Sequence, residues 1–173
     1  MNFDFSDDQK SLKDQARKFL SEKAATKVTR RVLDDAGVSY DESLWRAVAE
    51  LGWLGAAIPE QYGGLGLGRL ELCVLAEELG RAVAPIPFSS TVYFYAEAVM
   101  LAGSEAQKAA LLPKLAAGEI IGCFGVSEGP GAPTTANIQA KFDGAALNGV
   151  KIPVTDGDSA SHAIVLAKDH ADG

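Results

Sequence analysis

The stretch Glu119-Ile-Ile-Gly-Cys-Phe-Gly-Val-Ser-Glu-Gly-Pro-Gly131 brings a hydroxyl, a carboxylate and several small residues together at close spacing. Two kinds of chemistry fit it. Gly125-Val-Ser-Glu-Gly129 matches the GxSxG nucleophile elbow, which needs a strand before it, a helix after it, and an acid and then a histidine downstream. Asp143 or Asp158 followed by His162 supplies that order, but Gly129-Pro-Gly-Ala-Pro133 cannot start a helix in register. The other chemistry is contact with a flat cofactor. A flavin ring needs an apolar wall and a few donors for its carbonyls and N5, and reduction places negative charge on it. Phe124-Gly-Val-Ser-Glu128 and Lys151-Ile-Pro-Val-Thr-Asp-Gly157 offer such a set, with Val126, Ser127 and Thr155 as contacts from adjacent strands. A serine and a threonine closing two strands are also ordinary turn residues, and the residue types alone leave both accounts open.

Other candidate groups carry less. Gly64-Leu-Gly-Leu-Gly68 has the wrong spacing for a dinucleotide fingerprint and follows no strand, so it reads as a tight inter-helix loop. His162 and His170 are the only histidines, and neither has a neighbour at metal-ligand spacing. Cys73 and Cys123 show no CxxC spacing, which fits a reducing compartment, and Cys123 in its apolar run reads as a small buried hydrophobe. The acidic pairs Asp7-Asp8, Asp34-Asp35 and Glu77-Glu78 read as solvated faces or caps.

Composition narrows the class. A net charge of −7 argues against a nucleic-acid partner, whose phosphates need a basic surface. The apolar runs fall far short of the roughly 18 residues of a membrane span, and the acidic start lacks a signal-peptide n-region. A soluble, cytoplasmic protein is expected. At 173 residues the chain has room for one domain or one and a half.

The elements that must position these groups are helical up to residue 118. Ser6 and Gln9 form a capping box ahead of a stripe of Leu12, Ala16, Phe19 and Leu20. Residues 24–40 are ambiguous, with a helical rhythm from Lys27 to Leu33. Asp41 caps a helix that buries Leu44, Trp45, Val48 and Leu51, and Gly52 lies near its end. The glycine-rich run 53–68 predicts an ordered loop or a hinge. Leu72, Leu75, Leu79 and Val83 mark the next helix, and Pro85 and Pro87 break it. Phe88 to Leu101 predicts a helix with Val92, Tyr95, Ala96 and Val99 inward. Ser104 and Gln107 form a second capping box before Leu111, Leu112 and Leu115, with Pro113 bending that helix and Gly118 ending it.

After Glu119 the period changes. Residues 120–126 read as a buried strand, residues 139–142 and 147–152 as strands joined by the Asp143-Gly144 turn, and residues 162–167 as another, with a turn at Asp172-Gly173. The expectation is therefore mixed α then β. An all-α domain over residues 1–118 precedes a truncated antiparallel β-domain over residues 119–173 that ends before the strands that would close it.

Several of these stretches resemble the acyl-CoA dehydrogenase family. They are Phe5-Ser-Asp-Asp-Gln-Lys10, the run from Leu51 to Gly66, Leu75-Ala-Glu-Glu-Leu-Gly80 and the run from Gln107 to Glu119. Ser127-Glu-Gly-Pro-Gly-Ala-Pro-Thr134 is similar to the family's TEPGAGSD flavin motif, and Asn148-Gly-Val-Lys-Ile-Pro-Val-Thr-Asp-Gly157 to its NG-K-x-W-I-T-N-G strand. The resemblance implies a helical domain, a middle β-domain and a C-terminal four-helix domain, with FAD between the last two. It also implies α,β-dehydrogenation of an acyl-CoA thioester, with a carboxylate base in C-terminal helices that have no counterpart in these residues. By resemblance Phe124, Val126 and Ser127 line the flavin and Thr155 approaches from the next strand. Pro153 stands where the family commonly has Trp, and Pro133 where a Ser often meets the acyl-CoA, with Thr134 or Thr135 as substitutes. An electron-transfer flavoprotein as acceptor and a homo- or hetero-tetramer are implied too. The alternative is a non-catalytic partner subunit of the same fold, which Pro153 favours.

Overall fold

The computed structural model describes residues 4–169, so His170 and the Asp172-Gly173 turn lie outside the described residues. Among these described residues six α-helices come first: α1 (Asp7–Lys23), α2 (Thr26–Asp34), α3 (Glu42–Glu50), α4 (Arg69–Arg81), α5 (Glu97–Ala102) and α6 (Glu105–Ala116). Both capping boxes form, with the Ser6 and Ser104 hydroxyls accepting from the amides of Gln9 and Gln107 at 3.2 Å. Asp41 caps α3 by accepting from the Leu44 amide at 2.8 Å, and Arg31 pairs with the same carboxylate. The ambiguous segment resolves into α2, which buries Val32.

The apolar stripes meet in two clusters. Ala16 and Leu20 of α1 pack with Leu44, Trp45 and Val48 of α3, Leu72, Leu75 and Leu79 of α4, and Phe88 and Val92. A second cluster joins Tyr95, Ala96 and Val99 to Leu112 and Leu115 of α6, with Ile58 and Ile120. Glu78 lies fully buried between α1 and α4 and binds Arg17 at 2.7 and 3.1 Å and Arg81 at 2.7 Å. The Arg17 guanidinium, with help from Arg81, holds its carboxyl at about 2 against the desolvation that opposes it. Both arginines keep nearly half of their side chains in water, so the buried carboxylate is paired without burying two cations.

The glycine-rich run is an ordered loop. It folds back on itself through the amides of Leu65, Gly66 and Leu67, which donate to Gly55, Ile58 and Ala56 at 2.7–2.9 Å. Two short 3₁₀ turns within it, Trp53–Gly55 and Glu60–Tyr62, bring Trp53 and Leu54 into the core. Two stripe positions depart from expectation. Leu51 is 45% exposed because α3 ends at Glu50 and Gly52, at φ +76°, turns the chain away. Val83 is 64% exposed because α4 ends at Arg81, before the stripe reaches it. The segment expected as one α-helix from Phe88 starts as a π-helix (Ser89–Ala96) and continues as α5.

The β region is short: β1 (Gly122–Gly125), β2 (Lys141–Phe142), β3 (Leu147–Asn148), β4 (His162–Val165) and β5 (Lys168–Asp169). The antiparallel expectation holds for one pair only. β2 and β3 are antiparallel across the Asp143 turn, whereas β1–β4 and β2–β5 are parallel. The parallel pairs follow from connectivity, since β4 and β5 return after long excursions and not through hairpins. The strand expected over residues 147–152 stops at Asn148, and Ile152 makes only an isolated bridge to Glu128. Gly122 of β1 lies against the Tyr95 ring, where a Cβ would come within 2.2 Å of Cγ.

Two helices close in the same way, with different residues at the reversal. After α6 the Gly118 amide donates to Leu115 and the Glu119 amide to Lys114. After α4 the Val83 amide donates to Gly80 and the Ala84 amide to Leu79. Gly118 takes φ +75° without penalty, but Val83 takes φ +48° with a β-branched side chain. Val83→Gly is therefore expected to stabilise the protein by about 1 kcal/mol in chemical denaturation, since little packing is lost at an exposed site. A loss of stability would show that the Val83 side chain contributes more than its backbone costs.

Candidate functional site

β1 delivers the candidate residues to one end of the helical layer. The Thr91 hydroxyl accepts from the Gly122 amide at 3.2 Å and lies 3.4 Å from the Gly122 carbonyl, which fixes β1 against the π-helix. Two residues beyond the strand, the Ser127 carbonyl accepts from the Ile152 amide at 2.8 Å, and the Gly129 amide donates to Ile152 at 3.0 Å. That clasp, with the Lys151 contacts to Val126 and Glu128, sets residues 126–129 beside residues 151–152, so the two segments expected to meet a cofactor start side by side. Phe124, Val126 and Ser127 are half-buried, whereas Pro153 and Thr155 are exposed. Among the described residues neither the Ser127 nor the Thr155 hydroxyl has a protein partner, so both are free to donate to a ligand. Thr155 comes from the turn after the Ile152 bridge and not from a second strand.

The clasp rests on a pair that the residue types alone did not single out. Lys151 Nζ reaches Glu128 Oε1 at 2.7 Å and the Val126 carbonyl at 3.2 Å, with only 7% of its side chain exposed. The same Glu128 carboxylate accepts from the amides of Gln139 at 2.6 Å and Ala140 at 2.8 Å. It thus closes the loop between residues 129 and 138 onto β2. The Lys151 ammonium, followed by the Ala140 and Gln139 amides, holds the Glu128 carboxyl at about 2. The signal available in the sequence was weak: a lysine and a glutamate 23 residues apart, each beside a candidate segment.

Pro133 and Thr134, expected near a substrate, are both exposed in that loop. The Thr134 hydroxyl accepts from the Asn137 amide at 3.3 Å, while Pro133 shares a recess of about 130 Å³ with Val126, Glu128 and Ile138. The recess therefore unites one cofactor candidate with one substrate candidate and leaves Thr134 outside. Its volume falls well short of the ~300–1,000 Å³ of a typical ligand pocket.

The nucleophile-elbow reading fails on geometry. No helix follows Ser127, since residues 129–133 have no regular structure. The parallel register pairs His162 with Gly122, so the imidazole sits roughly 16 Å of strand away from Ser127. His162 instead contacts the Ser161 hydroxyl at 3.1 Å and the edge of the Tyr95 ring. Burial, with a smaller contribution from the Asp156 charge, pushes the Cys123 thiol up and away from nucleophilic use. Among the described residues no group of acidic, histidine or cysteine side chains is placed to hold a metal ion, and no helix is long and apolar enough to cross a membrane.

The family model for the acyl-CoA dehydrogenase N-terminal domain matches residues 6–119. The chain belongs to the acyl-CoA dehydrogenase family. It is 32% identical over 171 residues to mitochondrial isovaleryl-CoA dehydrogenase of Solanum tuberosum, an alignment covering 95% of this chain and 41% of that protein. Butyryl-CoA dehydrogenase from Megasphaera elsdenii superposes with a TM-score of 0.80 at 33% identity, over 96% of this chain and 45% of that one. A glutaryl-CoA dehydrogenase from Mycobacterium smegmatis, solved in complex with FADH2, superposes with a TM-score of 0.76 at 26% identity, over 96% and 44% of the two chains. This acyl-CoA dehydrogenase family chain spans about two fifths of the length of the curated relatives it matches.

The depressed Glu128 carboxyl makes the clasp acid-sensitive. Its ordinary value is 4.5, so its contribution to stability is complete above about 4.5 and is lost as pH falls through about 2. Glu128→Gln keeps the shape and removes the charge. The stability gap between wild type and Glu128→Gln is expected to be widest near neutral pH and to close across that window in urea unfolding. A gap that does not change with pH would show that the Lys151–Glu128 charge pair contributes nothing.

Proposed function

We propose that this chain supplies one wall of the flavin site of an FAD-dependent acyl-CoA dehydrogenase, acting on an acyl-CoA thioester between its α and β carbons. The observation that carries the reading is the backbone clasp between Ser127 and Ile152. It holds the half-buried Ser127 against a segment that reaches Thr155 three residues later, and both hydroxyls lack a partner among the described residues. The residues fit the cofactor in kind: Phe124 and Val126 offer the apolar wall, and Ser127 and Thr155 offer donors. When bound, FAD supplies the hydride-accepting redox chemistry. The protein's part here is to orient the ring, with the Ser127 and Thr155 hydroxyls donating to its acceptor atoms and Pro153 standing at its edge in place of an aromatic residue. Pro133, at the mouth of the small recess, and Thr134 beyond it are proposed to face the acyl-CoA. In this reading the helical layer ends near residue 118 and the flavin-facing region starts at residue 119. Other features proposed for the whole protein are an electron-transfer flavoprotein as acceptor, a tetrameric assembly and a cytoplasmic location. Family membership, and the solved relative in complex with FADH2, support the cofactor assignment.

The visible spectrum of the intact protein tests this reading. A flavin band is expected, bleached anaerobically by one member of a panel of acyl-CoA thioesters. Thr155→Val is expected to weaken FAD binding roughly two- to tenfold, the loss of one hydrogen bond worth ~0.5–1.5 kcal/mol. A protein that stays colourless after FAD is supplied would overturn the assignment and leave the partner-subunit account in its place.

A further inference from the structure

Thr155 belongs to a segment that has little of its own to hold it. Residues 153–157 lie outside any strand, Pro153, Thr155 and Gly157 are exposed, and Asp156 takes φ +54°, a conformation that asparagine and aspartate tolerate better than other non-glycine residues. Val154 lies near Gly125 of β1, and among the described residues one side-chain hydrogen bond ties this segment to the helices. The Ser90 hydroxyl donates to Asp156 Oδ2 at 2.6 Å, from a serine that is only 2% exposed. The Pro87 carbonyl is also within reach of Ser90 Oγ at 3.2 Å, but a hydroxyl has one proton and the shorter, charge-assisted contact takes it.

Ser90 and its neighbour Thr91 both lie in the π-helix, a rare form that widens the helical turn and recurs at functional sites. The two side chains leave it toward different targets. Thr91 holds the Gly122 backbone of β1, the strand that leads to Val126 and Ser127, and Ser90 holds Asp156, next to Thr155. Two adjacent, fully buried polar residues in one helical turn thus reference both segments of the candidate site to the same rigid element.

Building on the flavin-site reading, we propose that Ser90 is a positioning residue: through Asp156 it sets the Thr155 hydroxyl in register with Ser127. It touches neither cofactor nor substrate. The structure offers an internal comparison, because the same loop is tied a second time where the Ser39 hydroxyl donates to Asp158 Oδ2 at 2.6 Å. That contact is exposed and lies beyond the residues that face the site.

The experiment compares Ser90→Ala, Ser39→Ala and Asp156→Asn in the intact protein by FAD titration and by amide hydrogen exchange of residues 153–157. Ser90→Ala is expected to weaken FAD binding about tenfold and to speed exchange in this segment. Ser39→Ala is expected to stay near wild type in both. Asp156→Asn keeps an acceptor for Ser90 and tolerates the positive φ, so it is expected within about twofold of wild type. If the wild type binds FAD, and Ser90→Ala matches it in affinity and exchange or is no worse than Ser39→Ala, the positioning role is overturned while the flavin site stands. A loss in Asp156→Asn as large as in Ser90→Ala would also overturn it, by showing that carboxylate charge matters and not the held loop. A wild type that binds no FAD would overturn the flavin reading and this role together.

Discussion

Gly122 lies flat against the Tyr95 ring, with its amide and carbonyl both turned to Thr91. A Cβ there would overlap the ring, so strand and π-helix approach to backbone distance only because this residue is glycine. The β region hangs from that seam. β4 pairs with β1 and lays His162 on the Tyr95 ring and Ile164 on the second cluster, Ser161 and His162 donate through their amides to the Ile121 carbonyl, and the segments bearing Ser127 and Ile152 follow where β1 points. The candidate site thus inherits its rigidity from the helical core and little from its own sheets, which are short and open-edged.

The helical layer is also where polar groups are most completely accounted for. Glu78 is buried with two partners, Asp41 with a cap, a hydroxyl and Arg31, and Trp45 donates its indole N–H to the Gly118 carbonyl at 3.0 Å. Among the described residues no buried side-chain nitrogen or oxygen lacks a partner. A scaffold satisfied in this way can hold two weakly structured segments in register, as positioning a ring within hydrogen-bond reach requires.

What the sequence made legible follows the range of the forces involved. Ser6 with Gln9, Asp41, and Ser104 with Gln107 mark helix starts through contacts three residues long, and the stripes Leu72–Leu75–Leu79 and Val92–Tyr95–Ala96–Val99 follow from helical period. Each is local, and each appears in the structure. Leu51 and Val83 escaped because a stripe does not reveal where its helix ends. The parallel pairing of β1 with β4 escaped because strand-like composition carries no direction. At the site, the adjacency of residues 126–128 to residues 151–152 was readable from resemblance, but the means of holding them was not. Lys151 with Glu128 and Ser90 with Asp156 are long-range pairs of ordinary residues. The one available hint for the second was the polar run Ser89-Ser90-Thr91 at the start of a largely apolar helix.

The central claim is geometric: one flavin face rests on residues 124–127, with Thr155 at the ring. A crystal structure of the intact protein with FAD tests it most directly. The account predicts the isoalloxazine against Phe124 and Val126, with the Thr155 and Ser127 hydroxyls within hydrogen-bond distance of its acceptor atoms. A flavin bound away from these residues, against the apolar groove of Leu72, Cys73 and Tyr93 for example, would contradict it.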